Sequence, residues 1–330
     1  MKFLKEGLTL FDINAHSLRG KEFYKEVLDF RKKILPLHKH RIQKAEEYQC
    51  LLCGNNEGSL LLEWEEGYQL IQCGQCGASC PNISFLEQSG VSSELVAKEI
   101  QYEIYVKMID RQYDYRKNQF GGDRYRYIVE RLDLDPHQIR LLDVGCGAGY
   151  FLSYLKDQKV QAKGLDANLN TVRYCRERGL DVDSGDVADE PDEEYDVVVL
   201  FDVLEHLLNP VSVMKDVARK LKPEGYVVAF TTNIHSLSYE LMGSHENTLL
   251  PFEHICFYDR KSFQFLAEKA GLRIHSLDTF GLDVMDYLLM KEHNDNFPYT
   301  QKLHEMMVLV QGCLDRMGVS NHFRLTLQNS

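Results

Sequence analysis

The chain has 330 residues, 44% of them hydrophobic and 27% charged, which is enough apolar material and length for one large domain with a small one, or two medium ones. Its 50 acidic against 38 basic side chains give a net charge of −12, which repels a phosphate backbone and argues against nucleic acid as the main partner. No apolar run approaches the ~20 residues that span a bilayer, and residues 1–7 lack the pattern of a secretory leader, so a cytoplasmic location is expected. The nine cysteines fall into two close pairs and several singles, a distribution that fits reduced thiols and metal ligation rather than a disulfide framework.

Residues 1–49 read as a polar helical segment, with an amphipathic stretch over 21–35 that should stop before Pro36. The basic residues Arg31, Lys32, Lys33 and the run His38-Lys39-His40-Arg41 read as a solvated helix end. Residues 50–85 carry Cys50-x2-Cys53 and Cys73-x2-Cys76, with 19 residues between the pairs and a glycine (Gly54, Gly77) after each. Each pair makes a tight knuckle, and four thiolates close a tetrahedron with no open position, so the expected ion is one structural Zn²⁺. Cys80 is a spare thiol that can stand in for Cys76. The intervening segment holds Glu57, Glu63, Glu65 and Glu66 with no Lys or Arg, which points to a supporting or substrate-specificity role rather than nucleic-acid binding.

A helix capped by Ser92 or Ser93 is expected through Met108, and a second, after a break at Phe120-Gly121-Gly122-Asp123, through Leu132. These form a helical linker or lid over 86–135. From Pro136 onward, strands at 141–144, 160–165, 195–201 and 226–231 alternate with helices at 150–156, 169–177 and 211–221, the pattern of a parallel sheet wrapped by helices. An amphipathic helix over 297–317 and a last strand over 321–327 complete the domain, which spans 136–330.

The run Leu141-Leu142-Asp143-Val144-Gly145-Cys146-Gly147-Ala148-Gly149 is a strand, a glycine loop and a helix start. Glycines at 145, 147 and 149 let the backbone turn tightly and approach a ligand. A dinucleotide-binding loop needs a third glycine at position 150, where Tyr150 stands. Asp166 closes the second strand, 23 residues after Asp143, and is followed by Ala167. A carboxylate there can accept hydrogen bonds from both hydroxyls of a ribose. Asp186 and Val187 follow the third strand, and Phe201 and Asp202 end the fourth.

The G-x-G-x-G spacing with Asp143 two residues before it resembles motif I of class I methyltransferases, and Leu221-Lys222-Pro223-Glu224-Gly225 resembles that family's turn before strand five. The resemblance implies a seven-stranded, doubly wound Rossmann-like sheet (fold class α/β) and bound S-adenosyl-L-methionine. In that family the loop passes the methionine portion of the cofactor, and an acidic residue at the position of Asp186 contacts the adenine amino group.

Asp202-Val203-Leu204-Glu205-His206 has the D-x-x-E-H form of small-molecule methyltransferases. It also resembles the E-x-x-E-H metal ligands of ubiquinone-pathway O-methyltransferases, with Asp202 one methylene shorter. Glu253-His254-Ile255-Cys256-Phe257-Tyr258 resembles an E-H element of sugar methyltransferases in which the histidine is a base. An imidazole suits that role because its pKa lies near neutrality. His254 is thus the first candidate base, with Glu253 to orient it and His206 as its rival. A zinc ribbon ahead of such a domain resembles the zinc-containing sugar C-methyltransferases and related enzymes of bacterial glycan gene clusters.

The expected function is methyl transfer to a small-molecule acceptor, a hydroxyl of a sugar, glycan precursor or similar metabolite. The alternative is a non-catalytic S-adenosylmethionine-binding module that recruits a partner through the ribbon. An RNA or protein methyltransferase is disfavoured by the charge and by the lack of an Asn/Asp-Pro-Pro-Tyr motif after strand four.

Overall fold

The computed structural model describes residues 22–37, 48–64, 67–82 and 112–329. Its first element is helix α1 (Phe23–Leu37). Tyr24, Val27, Ile34 and Leu35 recur at helical spacing and are buried, and Arg31 lies buried in the same stripe. The helix runs through Pro36 rather than stopping before it. Pro36 stands one residue from the end, so its missing N–H and its ring disturb only the final turn.

Strands β1 (Gly58–Glu63), β2 (Gln69–Cys73) and β3 (Ser79–Pro81) form a three-stranded antiparallel sheet in that order. The helix expected over 92–108 lies outside the described residues, as do His38, Lys39, His40, Arg41, Glu65 and Glu66. The chain is helical from residue 112, passes through a π-turn at Lys117–Gly121 and continues as α2 (Gly122–Leu132). The break expected at Gly121-Gly122 is therefore absent. A Cβ on Gly121 would stand 2.9 Å from Cβ of Tyr154, so these glycines serve close helix packing rather than helix termination.

The large sheet follows, its strands mostly alternating with helices. Strand β4 (Arg140–Val144) leads to α3 (Tyr150–Asp157), β5 (Gln161–Leu165) to α4 (Leu169–Glu177), and β6 (Val182–Asp183) to β7 (Tyr195–Phe201). Helix α5 (Pro210–Lys220) then precedes β8 (Leu221–Thr232), and α6 (Arg260–Ala270) precedes β9 (Leu272–Phe280). Helices α7 (Asp283–Asp295) and α8 (His304–Met317) lead to β10 (His322–Asn329). The helix expected over 297–317 is divided at Leu303, between a short turn at Tyr299–Lys302 and α8. Spatial order is β6-β5-β4-β7-β8-β10-β9, parallel from β6 to β8, with β10 antiparallel to both of its neighbours. This is the seven-stranded doubly wound α/β sheet expected from the sequence.

Two cores flank the sheet, and strand alternation divides residues between them. Leu141, Val197, Val199, Val228 and Phe230 pack with residues of α2, α3 and α4. Leu142, Val198, Leu200, Val227 and Ala229 face the other way, toward α5 and α6, in a cluster that also holds Cys50, Cys73, Cys76, Cys80 and Cys256. The cysteine-bearing sheet therefore shares a core with the large one. No helix among the described residues is long and apolar enough to cross a membrane.

One buried ion pair fixes α2 to the sheet. Nη2 of Arg324, on β10, donates to Oδ2 of Asp123 at 2.7 Å with both side chains almost wholly buried, and its guanidinium carbon lies 4.2 Å from the ring centroid of Phe280. Removing one partner of such a pair costs about 3–5 kcal/mol. Asp123→Ala is expected to lower unfolding stability by about that amount in urea denaturation, whereas a cost below about 1 kcal/mol would show that the pair does not hold the helix.

Candidate functional site

Every strand of the parallel half ends on the same edge of the sheet, which is where an open α/β sheet binds ligands. After β4, Asp143 is buried and its carboxyl is pushed up to about 7, chiefly by burial, against the pull of Arg124. The loop that follows has φ of +70° at Gly145 and +72° at Gly149. A Cβ at Gly145 would stand 2.6 Å from Val203 Cγ2, and one at Gly149 would stand 2.6 Å from Leu180 Cδ1. These two glycines thus answer to the protein's own packing as well as to any ligand. Backbone N–H groups of Gly145 and Cys146 donate to the Leu165 carbonyl at 2.8 and 3.0 Å, tying the loop to the end of β5.

Asp166, just past β5, accepts from the backbone N–H of Gly147 at 2.9 Å and of Asn168 at 2.8 Å, one on each carboxylate oxygen. Each oxygen keeps a lone pair for a further donor, as recognition of a ribose diol requires. Ala167 is exposed beside it. Asp186 accepts from Ala188 N at 3.1 Å and caps the turn at Val187–Asp189, with Val187 buried under it. The topology therefore brings the sequence-predicted cofactor residues from Asp143 to Asp202 to the ends of four adjacent strands, and the exposed Gly145 backbone leaves the cradle open to a ligand.

Phe201 ends β7 against Arg124, whose guanidinium carbon lies 4.3 Å from its ring centroid. Asp202 adopts φ +59°, and its Oδ2 accepts from Arg124 Nη2 at 3.0 Å. Arg124 also donates to the Tyr150 hydroxyl. Sequence reading missed Arg124 because it sits just past the two glycines read as a helix break.

Glu205 is buried, and its Oε2 accepts from Thr231 Oγ1 at 2.8 Å. Burial, with the charge of Asp202 nearby, pushes its carboxyl up to about 8. The backbone carbonyl of Glu205 accepts two N–H bonds, from Ile255 at 2.8 Å and Cys256 at 3.1 Å, which brings the segment after β8 against the end of β7. In consequence the His206 and His254 rings meet edge to face with centroids 4.8 Å apart.

His254 directs Nδ1 at the Thr248 carbonyl, 2.5 Å away, and His206 directs Nδ1 at the Glu253 carbonyl, 2.8 Å away. A carbonyl opposite Nδ1 requires the proton there, so each neutral ring leaves Nε2 bare. Burial, reinforced by the neighbouring imidazoles of His206 and His322, holds the pKa of His254 well below the usual range and keeps the ring neutral. One ligand atom each from Glu205, His206 and His254 lies within 4.8 Å of the other two, close enough to share a divalent ion. The donor set differs from Asp202, Glu205 and His206: Asp202 is turned to Arg124, and His254 takes its place.

A cavity of about 260 Å³ opens between Asp202, Glu205 and His254 on one side and Phe23 and Val27 of α1 on the other. Helix α1 thus supplies a wall that no sequence motif signalled.

On the far side of residues 255–258 lie the four cysteines. Gly54 and Gly77 have φ of +75° and +85°, and their N–H groups close the knuckles onto Cys50 O and Cys73 O. The Sγ atoms of Cys50, Cys53, Cys73 and Cys76 all lie within 4.8 Å of one another, with Cys50–Cys76 and Cys53–Cys73 each at 3.5 Å. Four sulfurs about 2.3 Å from a tetrahedral Zn²⁺ would stand about 3.8 Å apart, so the set fits that ion. Cys76 rather than Cys80 completes the set, as the knuckle spacing favours, and Cys80 is buried with its Sγ 3.9 Å from that of Cys256.

Residues 112–277 match a family model described as a methyltransferase domain. Among curated proteins, the chain is 30% identical over 128 residues to a ubiquinone biosynthesis O-methyltransferase of Rickettsia bellii, covering 36% of this chain and 53% of that one. It is 32% identical over 131 residues to the protein of the same name from Aliivibrio fischeri, covering 37% and 56%. The chain thus spans about half the length of these curated relatives. Among solved structures, a SAM-dependent methyltransferase from Archaeoglobus fulgidus is 17% identical with a TM-score of 0.48, covering 69% of this chain and 99% of that one. An S-adenosylmethionine-dependent methyltransferase from Mesorhizobium loti is 13% identical with a TM-score of 0.42, covering 62% and 97%. Since the matched family model takes in half of its residues, the chain belongs to the class I S-adenosylmethionine-dependent methyltransferases.

Proposed function

We propose that this protein transfers a methyl group from S-adenosylmethionine to a hydroxyl of a small polar acceptor, such as a sugar, a glycan precursor or a similar metabolite, with His254 as the base. The observation that carries this reading is the His254 imidazole, neutral, with Nδ1 tied to Thr248 and Nε2 bare, on the wall of a cavity that reaches Asp202 at the end of β7. Oxygen as the accepting atom is supported by the names of the curated relatives, which are O-methyltransferases.

In this reading Asp143, Gly145, Cys146, Gly147 and Gly149 flank the methionine portion of the cofactor. Asp166 and Ala167 take its ribose, Asp186 and Val187 its adenine, and Phe201 and Asp202 stand beside the methyl group. When bound, S-adenosylmethionine would supply a methyl group activated by its sulfonium, whose S–CH3 bond breaks to leave the neutral thioether S-adenosylhomocysteine. The chain's own contribution is alignment of the acceptor oxygen with that carbon and removal of the hydroxyl proton to Nε2 of His254 as the new bond forms. Glu253 contributes its backbone carbonyl, which holds His206 beside His254.

A second reading rests on Glu205, His206 and His254 as a donor set. A divalent cation held there would lower the pKa of a bound hydroxyl.

Residues 50–85 form the ribbon and residues 136–330 the catalytic domain in this proposal, with α2, from the linker or lid expected over 86–135, docked on the sheet. Cys50, Cys53, Cys73 and Cys76 hold one structural zinc. The ribbon's task is support, because β3 pairs with Phe257, three residues from the base.

Four measurements test these assignments. Asp166→Ala is expected to weaken S-adenosylhomocysteine binding by about 10- to 100-fold in calorimetry, the loss of a hydrogen-bonded carboxylate, whereas tight NAD binding without affinity for S-adenosylhomocysteine would sink the cofactor assignment. His254→Ala should lower turnover by about 10²–10⁴-fold with cofactor affinity nearly unchanged. Glu205→Gln separates the two readings: retained turnover supports the base alone, and a joint loss of turnover and of bound divalent metal supports the cation. For the ribbon, elemental analysis of freshly purified protein should find about one zinc per chain, lost in Cys73→Ser. A zinc-free preparation with unaltered proteolytic resistance would remove the metal from the account.

A further inference from the structure

One part of the cavity wall carries polar atoms that the protein leaves unmatched. Asn247 is 4% exposed, and neither Nδ2 nor Oδ1 has a hydrogen-bond partner among the described residues. Thr232, the last residue of β8, is 2% exposed and its Oγ1 is equally without a partner. Both side chains line the cavity. Buried polar groups are nearly always hydrogen-bonded, so an amide and a hydroxyl left open on one cavity point to a ligand that completes them.

Asn247 is held in that position. Arg31, buried on α1, donates Nε to the Leu249 carbonyl at 3.1 Å and Nη2 to the Glu246 carbonyl. Thr248 donates its N–H and its hydroxyl to the Glu246 carboxylate at 2.6 and 2.5 Å. Residues 246, 248 and 249 are thereby pinned on both sides of Asn247.

Two of the carboxylates around it are paired inside the protein. Asp202 pairs with Arg124 at 3.0 Å, and Asp123 with Arg324 at 2.7 Å. The groups left open on this cavity among the described residues are a donor and an acceptor side by side on one amide, a hydroxyl, and Oε1 of Glu205, which the second reading gives to a cation. Phe23, Phe120 and Leu282 contribute apolar surface to the same cavity.

We infer that Asn247 and Thr232 are specificity-determining residues that read an uncharged pair of neighbouring hydroxyls on a ring-sized acceptor. A carboxamide gives its N–H to one oxygen of a vicinal diol and takes the proton of the next, and Thr232 serves whichever oxygen faces β8. The inference rests on the reading of this cavity as the acceptor site. A diol of this kind is presented by a sugar ring and by an aromatic ring alike.

The test is calorimetry on protein saturated with S-adenosylhomocysteine, with methyl α-glucopyranoside and catechol as the two diol probes and phenol as the single-hydroxyl control. At least one diol should bind at millimolar concentration and more tightly than phenol, and the preferred one distinguishes a sugar ring from an aromatic ring. Asn247→Leu and Thr232→Val should each weaken that binding about tenfold or more, leaving S-adenosylhomocysteine affinity unchanged. Without a probe, Asn247→Leu should melt at the wild-type temperature or above it, because it removes buried groups that the folded chain does not satisfy; an asparagine with a structural task would give a lower melting temperature. No binding of either diol, equal binding of phenol, binding indifferent to Asn247, or a lowered melting temperature would each overturn the inference. Asn247-dependent diol binding with no methyl transfer from S-adenosylmethionine would leave it standing and overturn the proposed transfer instead.

Discussion

Ser79 and Phe257 exchange two main-chain hydrogen bonds, each 2.9 Å long, and the segment that carries His254 is anchored by that exchange. Phe257 continues from Ile255 and Cys256, whose N–H groups are both spent on the Glu205 carbonyl, and Tyr258 reaches the Leu204 carbonyl at 3.1 Å. The cysteine-bearing sheet, the His254 segment and the end of β7 are thus one hydrogen-bonded run. Asp259 closes it: its carboxylate lies in the space that a side chain at Gly77 would need, and it caps α6 through a reciprocal bond with Ser262. A metal closing the four cysteines would stiffen a scaffold that reaches His254 within a few residues, although none of its ligands lines the cavity.

The periodic parts of this arrangement were legible in the sequence. Strands buried on both faces, such as Tyr195–Phe201, read as continuous apolar runs, and a parallel sheet with a glycine turn at its first strand end leaves few alternatives. The Cys50-x2-Cys53 and Cys73-x2-Cys76 spacing also carried enough local geometry to predict its own convergence. What escaped depended on contacts between distant segments. Gly121-Gly122 has the composition of a break, and only the nearness of Tyr154 makes it a packing site within a helix. Asp202 was read with Glu205 and His206 because they are neighbours in sequence. The buried Arg124 claims Asp202, and His254 arrives from 48 residues further on than His206.

Helix α1 presents the same difficulty in a stronger form. Its apolar stripe was readable, but not that Phe23 and Val27 would wall a cavity or that Arg31, buried in the stripe, would bond the carbonyls of Glu246 and Leu249. A buried cation in an amphipathic stripe has no periodic signature, because its partners are main-chain oxygens that any residue could supply.

The position of β10 bears on how such a chain is made. Although it is the last strand among the described residues, it lies inside the sheet, between β8 and β9, and its Arg324 meets Asp123 some 200 residues back. During synthesis the cysteine-bearing sheet, closed within residues 58–81, has all its strands early. By contrast β8 and β9 emerge with a vacant lane between them. At about 5–20 residues per second, the roughly 40 residues from the end of β9 to the start of β10 take several seconds to appear. Through that interval both flanking strands expose unpaired main-chain edges of the kind that invite association with other chains. That lane closes only when β10 enters between its two neighbours, so the sheet is completed from within rather than at an edge.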